Sequence, residues 1–366
     1  MIVKYLNFSK QWKEERKFLL PLMDRVFLKG HYVGTKAEEI HKFERNICDT
    51  LKSNYCISLN SGTDALTLAL YCAGIKKKDE VITTANSYIA TVGSIVHLGA
   101  KPVFADVLPD QNIDPLKIEK LITKKTKVIL VVHLTGRCAK MSEIMKIANK
   151  YKIKVIEDCA QSFKSKYQNV FAGTFGLAGC FSTHPLKNLN AMGDGGFVVT
   201  NSKKIAERIR LLRNHGLKTR DLNEEFGYNS RLDNIQAAIL NYRLKKTEKL
   251  ISKRRQIAKI YQKKLNKKFV FIPGENKNEF NTYHTFVIQV ERRDSLIKYL
   301  KKKGISTYIH YPIPIHKQKM FKNSSHKLPI TEMQSKKIIS LPIHQHLTTK
   351  EINYTINEIN NFFSNE

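Results

Sequence analysis

Short apolar runs alternate with segments of helical periodicity between residues 55 and 216. The run TKVILVVHL (126–134) is almost continuously apolar, which is typical of a strand buried on both faces of a parallel sheet. The other predicted strands are 55–60, 79–84, 101–107, 152–160 and 195–201, and the predicted helices between them are 64–75, 87–100, 116–122, 142–151 and 203–216. This alternation predicts an α/β domain with a largely parallel sheet and helices on both faces.

The two ends of the chain depart from this alternation. Residues 1–35 predict a short helix followed by a glycine-bearing loop, and apolar residues recur at helical spacing from Lys36 to Leu51. A long helix is predicted from about Ile235, and beyond about residue 248 the pattern changes to helix, short strands and helix. We therefore expect a large domain over residues 1–247, with an N-terminal helical segment, and a smaller α+β domain over residues 248–366.

The charge of the chain is strongly positive, with 63 Lys and Arg against 32 Asp and Glu and a net charge of +31. Such a charge can serve nucleic acid or an anionic membrane surface. It can also arise from lysines that fill solvated helix faces. The second interpretation is favoured, because the lysines are spread over the whole chain and no basic motif is interleaved with aromatic residues. We expect no specific nucleic-acid partner and a general preference for anionic substrates.

The six cysteines form no CxxC pair and have no metal-ligand spacing with histidine. They are interpreted as free thiols of a reducing compartment, and no metal site is predicted. The chain has no secretory apolar segment at its start and no apolar run of the roughly 18 residues that span a bilayer. We expect a cytoplasmic protein without membrane insertion.

Candidate chemistry centres on one lysine, Lys187, within residues 181–200. Polar residues precede it, a glycine turn at 193–196 follows it, and Asp158 ends a predicted strand upstream. A buried lysine nucleophile near an acid is what a Schiff-base cofactor site requires. This stretch alone is equally compatible with a surface lysine in a loop.

A second candidate is the turn Ser-Gly-Thr at 61–63, between a predicted strand and a predicted helix. Thr63 or Asp64 is predicted to cap that helix, whose free backbone N–H groups would suit a phosphate. A plain helix cap is the alternative. No G-x-G-x-x-G follows any predicted strand, so a dinucleotide-binding fold has no support.

Eight segments in order resemble one family, the DegT/DnrJ/EryC1/StrS aminotransferases. They are SGTDAL (61–66), NSYIAT (86–91), KPVFADV (101–107), HLTG (133–136), EDCAQS (157–162), FSTHPLKNLNAMGDGG (181–196), GYNSRLDNIQAA (227–238) and HYPIPIHKQ (310–318). The family consists of enzymes dependent on pyridoxal 5′-phosphate that mostly aminate nucleotide-linked keto-sugars. The resemblance implies the PLP-dependent transferase fold of type I, with a mostly parallel seven-stranded sheet in the large domain and a smaller C-terminal α+β domain.

The resemblance implies a role for each residue around the cofactor ring. Lys187 matches the lysine that forms a Schiff base with the cofactor and then moves the proton, where relatives with His are dehydratases. Asp158 matches the acid that pairs with the pyridine nitrogen, although a helix cap would also explain it. Gln161 matches a residue over the ring or near its 3′-oxygen. Tyr88 stands where relatives stack an aromatic ring, although a core tyrosine is the alternative.

The family also implies a phosphate site and a subunit contact. The backbone N–H groups of Gly62 and Thr63, with the hydroxyl of Ser182, are expected to hold the phosphate. Asn229 resembles an asparagine that reaches the phosphate from the neighbouring subunit. A homodimer with shared active sites is therefore expected.

Six residues are candidates for substrate contact: Arg137, His184, Arg231, His310, Tyr311 and His316. Arg231 can equally be a solvated arginine. His133 is expected near the cofactor or as a hydrogen-bonded ring that ends its strand. Two positions depart from the common family pattern: Asp194 replaces Glu in the glycine turn, and HLTGR places Arg137 beside the active-site loop.

The sequence as a whole predicts an aminotransferase using pyridoxal and pyridoxamine phosphate. The expected donor is an amino acid, L-glutamate by family habit, and the expected acceptor is a dTDP- or UDP-linked keto-deoxysugar for surface-polysaccharide or aminosugar biosynthesis. A smaller phosphorylated ketone is the alternative acceptor. A non-catalytic regulatory or binding protein on the same fold is the alternative of another class.

Overall fold

A computed structural model describes residues 1–34, 36–321 and 326–364. Within them the chain forms twelve α-helices: α1 (Phe8–Lys29), α2 (Glu38–Leu51), α3 (Gly62–Cys72), α4 (Ile89–His97), α5 (Pro115–Ile118), α6 (Met141–Tyr151), α7 (Lys203–Leu212), α8 (Asn234–Leu244), α9 (Thr247–Lys264), α10 (Arg293–Lys302), α11 (Pro329–Lys337) and α12 (Thr349–Ser364). The strands are β1 (Tyr55–Leu59), β2 (Glu80–Thr84), β3 (Lys101–Ala105), β4 (Thr126–Val132), β5 (Lys154–Asp158), β6 (Lys166–Tyr167), β7 (Val170–Phe171), β8 (Ala178–Ser182), β9 (Gly196–Thr200), β10 (Leu217–Thr219), β11 (Leu222–Asn223), β12 (Glu279–Phe280), β13 (Phe286–Gln289) and β14 (Ile338–Leu341).

Seven strands form the central sheet in the order β1-β9-β8-β5-β4-β2-β3. Strand β9 is antiparallel to both of its neighbours, and the other pairs are parallel. The predicted α/β fold with a mostly parallel sheet is confirmed. Strand β4 lies inside the sheet and is buried at every position except Lys127, in agreement with its apolar run.

Helices cover both faces of the sheet, because successive residues of a strand point to opposite sides. Ile129 and Val131 belong to the core that packs beneath helices α2, α6 and α8. Val128 and Leu130 belong to the core beneath α3 and α7. The two cores hold the parallel strands in one layer, so that their carboxyl ends meet at one edge.

That edge is where the candidate residues gather. Asp158 is the last residue of β5, and Ser182 is the last residue of β8. Strand β1 runs parallel to β8, since both are antiparallel to β9, and Gly62 follows β1 at the same edge. Open α/β sheets place their sites outside the carboxyl ends of the strands.

The C-terminal part of the chain has a hydrophobic core of its own. It packs around the antiparallel pair β13–β14 and helices α9, α10 and α12. Val3 belongs to this core as well, and it bridges Ile305 in parallel. The predicted domain division at residues 247/248 stays a prediction. That prediction did not include the contact between Val3 and the C-terminal core.

The N-terminal helix is longer than predicted, since α1 spans 22 residues. Its buried positions include Gln11 and Glu15, and polar residues on the inner face weaken the apolar periodicity that identifies a helix. Glu15 is held there by Arg243 of α8 at 2.7 Å. No helix in the part of the chain that the structure describes is both long and apolar enough to cross a membrane.

Candidate active site

The N-terminus of α3 presents free backbone N–H groups at the sheet edge. Helix α3 begins at Gly62, and Ser61 caps it by accepting a hydrogen bond from the N–H of Asp64 at 3.1 Å. The prediction that Thr63 or Asp64 is the cap was wrong, because the helix starts two residues earlier than expected. With Ser61 as the cap, the N–H groups of Gly62 and Thr63 stay available for an anion.

Gly62 lies in contact with the end of β8. A Cβ atom on Gly62 would stand 2.7 Å from the Cβ and 3.3 Å from the Oγ of Ser182. Only glycine permits this approach of the helix N-terminus to the serine hydroxyl. The structure thus brings together Gly62, Thr63 and Ser182, the three residues predicted for a phosphate.

Asp158 is buried at the end of β5, with 5% of its surface exposed. Its Oδ2 accepts a hydrogen bond from the Thr91 hydroxyl at 2.7 Å, and its Oδ1 accepts one from the N–H of Ala160 at 3.1 Å. Burial raises the pKa of Asp158, and the bond from Thr91 acts in the opposite direction. Thr91 is a contributor that the sequence analysis did not single out, since a threonine in the first turn of α4 has no distinctive pattern.

Lys187 lies half-buried in the loop after β8, where its N–H donates to the carbonyl of His184 at 2.8 Å. Burial lowers the pKa of the Lys187 amine, and the charge of Asp158 opposes this shift. The lower pKa increases the fraction of neutral amine, which is the nucleophilic form. Lys187 therefore has the lowered pKa that a nucleophilic amine requires, and Asp158 is near enough for its charge to act on that amine.

Gln161, Tyr311 and Tyr88 form a connected group, and the charge of Asp158 acts on the Tyr311 phenol. The Gln161 Oε1 accepts from the N–H of Thr135 at 2.8 Å, and its Nε2 donates to the Tyr311 hydroxyl at 3.1 Å. The ring of Tyr88 lies 6.3 Å from the ring of Tyr311 and is 61% exposed. Gln161 is held at both ends, whereas Tyr88 has an exposed face for a flat ligand.

Two histidines of the C-terminal part approach Lys187. The His310 Nδ1 lies 2.8 Å from the Ser340 hydroxyl, and burial together with the charge of Lys187 lowers the pKa of His310 to about 4. Burial, Lys187 and Arg254 lower the pKa of His284 well below its ordinary value. Both rings are neutral near pH 7. His284 was not predicted, because nothing in the stretch around it differs from an ordinary strand start.

Two predicted substrate contacts lie in structural positions instead. Arg137 is buried, and its guanidinium donates to the Glu279 carboxylate at 2.5 Å and to the carbonyl of Gly274 at 2.6 Å. His316 is 2% exposed and lies 3.0 Å from a carboxylate oxygen of Glu332. The partners of Arg137 occupy its guanidinium, whereas the Nδ1 of His316 is buried and has no hydrogen-bond partner among the described residues. A substrate contact stays a prediction for both residues.

Three further candidates lie at the surface or at the edge of the site. His184 is exposed, and its Nδ1 accepts from the N–H of Leu186 at 3.3 Å. Arg231 donates to the Asn214 side chain at 2.9 Å, and its buried Nε has no hydrogen-bond partner among the described residues. Asn229 is exposed, and its carbonyl accepts from the Asn60 side chain at 3.5 Å.

His133 is a fully buried ring that ends strand β4. Its Nδ1 accepts from the N–H of Ala139 at 3.0 Å, so its Nε2 carries the proton and donates to Glu157 at 2.9 Å. Cys159 lies with these two groups within 4.8 Å, a grouping that could suggest a metal. Because both ring nitrogens are already used in hydrogen bonds, the imidazole offers no lone pair to a metal. His133 is the hydrogen-bonded strand end that the sequence left open.

Comparison with known proteins gives consistent matches over the whole chain. The model of the DegT/DnrJ/EryC1/StrS aminotransferase family matches residues 23–360. A dTDP-3-amino-3,6-dideoxy-alpha-D-galactopyranose transaminase of Aneurinibacillus thermoaerophilus is 38% identical over 99% of both chains. A "pleiotropic regulatory protein" of Geobacillus stearothermophilus is 36% identical, also over 99% of both chains. The crystal structure of S. venezuelae DesV, in complex with a ketimine intermediate, superposes with a TM-score of 0.95 at 33% identity, over 99% of this chain and 98% of that one.

Proposed function

The chain belongs to the DegT/DnrJ/EryC1/StrS aminotransferase family, and on that premise we propose which cofactor and which substrates it uses. The cofactor is pyridoxal 5′-phosphate, which becomes pyridoxamine 5′-phosphate after the first half-reaction. The donor is an amino acid, with L-glutamate as the first choice. The acceptor is a keto-deoxysugar linked to a nucleotide.

The observation that carries the proposal is the position of Lys187 beside Asp158, with the free N–H groups of α3 at the same edge of the sheet. The residues fit the cofactor at both of its polar ends. Gly62 lets the helix N-terminus lie against Ser182, where any other residue would place a Cβ atom 2.7 Å from the serine Cβ, so the helix N–H groups and the serine hydroxyl lie close enough to serve one phosphate. Asp158 is a buried carboxylate suited to a protonated pyridine nitrogen.

Each residue then has a distinct task. When bound, pyridoxal phosphate supplies an aldehyde for the amino group and an electron-withdrawing ring. Asp158 would hold the proton on the ring nitrogen, and Thr91 fixes the orientation of its carboxylate. The Lys187 amine would anchor the cofactor and, once released, would carry a proton to and from the reacting carbon. Gln161 and Tyr88 would hold the ring in place.

The acceptor is proposed from the relatives and from the charge of the chain. The A. thermoaerophilus relative is a transaminase of a dTDP-linked sugar, and a net charge of +31 favours an acceptor that carries a diphosphate. A smaller phosphorylated ketone is the second acceptor. A regulatory role without catalysis is the second function, which the G. stearothermophilus relative favours by its name.

The first prediction tests the cofactor and the donor together. Protein loaded with pyridoxal phosphate is expected to absorb in the band of the lysine-bound cofactor, and L-glutamate should bleach that band. Lys187→Arg keeps the charge but removes the reactive amine, so the band should be absent while the thermal unfolding midpoint stays close to that of the parent. A protein that stays colourless with added cofactor would contradict the proposal, and a coloured protein that no amino acid bleaches would favour the regulatory role.

We also propose that the active enzyme is a homodimer in which Asn229 completes the partner's phosphate site. The exposed position of Asn229 supports this arrangement, since its side chain is free for contacts outside its own subunit. Its carbonyl nevertheless contacts Asn60, which immediately precedes the α3 cap. A contribution to the site of its own subunit is therefore the competing arrangement, and the two make different predictions for mixed dimers.

A further inference from the structure

Arg254 of α9 is a buried arginine, with 3% of its surface exposed. Its Nη1 donates to the carbonyls of Tyr283 and His284 at 3.1 and 3.0 Å. Its Nε is buried and has no hydrogen-bond partner in the described ranges 1–34, 36–321 and 326–364. The guanidinium is thus only partly satisfied.

The charge of Arg254 also lacks a counter-ion. No carboxylate in the described part of the chain pairs with it, and the group that interacts with its charge is the phenol of Tyr5. Burial raises the pKa of Tyr5, so the phenol stays neutral near pH 7. Burial lowers the pKa of Arg254 to about 10, which still leaves it charged. A buried cation without an anion is costly, and such groups are commonly paired when a site is filled.

Other buried or half-buried arginines of this protein pair their guanidinium groups with carboxylates. Arg243 pairs with Glu15 at 2.7 Å, and Arg213 pairs with Glu44 at 2.6 Å. Arg255, the next residue of α9, pairs with Glu275 at 2.6 Å. Arg254 departs from this pattern at a position that faces the reactive lysine.

Arg254 and Lys187 line one cavity, together with His344 and His346. The charges of both Lys187 and Arg254 act on the imidazole of His284 and, together with its burial, lower its pKa. The Nδ1 of His284 is buried and, among the described residues, has no hydrogen-bond partner. Arg254 and His284 thus each carry a buried nitrogen without a partner among the described residues, and a hydrogen bond from Arg254 to the His284 carbonyl joins the two residues.

We propose that Arg254 binds a carboxylate group of the amino donor, with His284 as an additional hydrogen-bonding group. This inference rests on the proposed function, since it assigns a binding site to the donor of that reaction. A guanidinium offers paired N–H groups that match a carboxylate, and the donor must place its amine at Lys187. Ser182 and the N-terminus of α3 serve the cofactor phosphate, so the two anions use separate groups.

The test measures the binding of glutarate, a dicarboxylate without the reacting amine, to the protein loaded with pyridoxal phosphate. Titration calorimetry of Arg254→Met is expected to show glutarate binding weakened by about 10- to 100-fold, the usual effect of losing hydrogen bonds to a charged group. Arg255→Met removes the same charge from the adjacent residue and should change glutarate binding less than about twofold. Glutaramide, which is uncharged, is the ligand control and should bind all three proteins alike.

A second ligand separates the donor from the acceptor. Binding of dTDP, a probe for the diphosphate of the acceptor, should be the same in Arg254→Met and the parent. Loss of dTDP binding with unchanged glutarate binding would assign Arg254 to the acceptor and overturn the proposal. Equal losses for both ligands, or no loss for either, would also overturn it.

A conservative variant covers the case in which Arg254→Met does not fold. Arg254→Lys keeps the charge but lacks the planar pair of donors, so glutarate binding should weaken by about threefold to tenfold. Unchanged glutarate binding by Arg254→Lys would contradict the proposal. If parent protein binds glutarate through Arg254 but glutamate never bleaches the cofactor band, the proposed reaction fails while the carboxylate site stands.

Discussion

Gly62 shows how one missing methyl group shapes the candidate phosphate site. Gly62→Ala would place a Cβ atom 2.7 Å from the Cβ of Ser182, so the helix N-terminus and the serine must move apart. We expect the dissociation constant for pyridoxal phosphate to rise by at least about 10-fold, as one or two hydrogen bonds to the phosphate are lost. Titration of cofactor-free protein with pyridoxal phosphate, followed by absorbance, measures this constant.

Gly93 provides the matched control for this substitution. It lies in α4, and a Cβ atom there would have no neighbour within 4 Å. Gly93→Ala should leave cofactor binding unchanged and stabilise the fold by about 0.5–1 kcal/mol, because alanine favours the helix. Equal cofactor affinity in both variants would show that the contact between Gly62 and Ser182 is unimportant for binding.

At the same scale, residue type decided what the sequence could reveal about the site. Lys187 and Asp158 were identifiable because each lies in a segment that resembles a motif of the family, and these segments follow the family's order along the chain. Thr91 and Arg254 were not, because their importance comes from the groups around them: a buried carboxylate for Thr91 and the absence of one for Arg254. The catalytic roles of Lys187 and Asp158 stay predictions until the variants are measured.

Strand β5 and the loop before β8 are joined through one buried carboxylate. Glu157 of β5 accepts hydrogen bonds from the N–H groups of Gly173, Phe175 and Gly176 at 2.7, 2.8 and 2.8 Å, besides the one from His133. In Glu157→Gln, the side-chain NH₂ group would face these groups, which are themselves hydrogen-bond donors. His133 cannot compensate, since its Nδ1 already accepts a bond. We expect a loss of about 2–4 kcal/mol in the free energy of unfolding, measured by urea denaturation.

Glu119 is the control for this prediction at the surface. It pairs with Lys150 at 2.6 Å, and both side chains are exposed. Because exposed ion pairs contribute about 0–1 kcal/mol, Glu119→Gln should change the unfolding midpoint only slightly. A Glu157→Gln protein as stable as Glu119→Gln would show that the loop does not depend on the carboxylate.

Elements with strong apolar patterns were predicted well, and those held by polar contacts were not. The strands of the parallel sheet are apolar runs, so the predicted mostly parallel α/β fold was confirmed, whereas the order of the strands within the sheet was not predicted. Helix α1 was underestimated because its inner face carries Gln11 and Glu15, and the cap of α3 was misplaced by the small polar run at its start. The two-residue strands β6 and β7 are too short to show the alternation of apolar and polar residues that identifies a strand.

Mixed dimers test the proposal that Asn229 completes the phosphate site of the partner subunit. A mixed dimer of Lys187→Ala and Asn229→Ala chains contains one site without the lysine and one site with it. If Asn229 acts across the interface, the second site receives a normal asparagine, and half of the parental sites should bind the cofactor with parental affinity. If Asn229 acts within its own subunit, that second site should have the weakened affinity of the Asn229→Ala homodimer.

Differently tagged chains allow the mixed dimer to be purified and titrated with pyridoxal phosphate. The Asn229→Ala homodimer is the reference for weakened affinity, and the Lys187→Ala homodimer is the reference for sites without the covalent anchor. A protein that sediments as a monomer at working concentration would contradict the dimer itself.

The bridge between Val3 and Ile305 also has a consequence for the order in which the molecule assembles. Val3 pairs through the carbonyl of Gly304 and the N–H of Ser306, about 300 positions later in the chain. At a synthesis rate of roughly 5–20 residues per second, Val3 waits about 15–60 s for these partners to emerge. The central sheet, whose strands end at Thr200, can form during that interval. Val3 is therefore synthesised long before the residues that fix its native place.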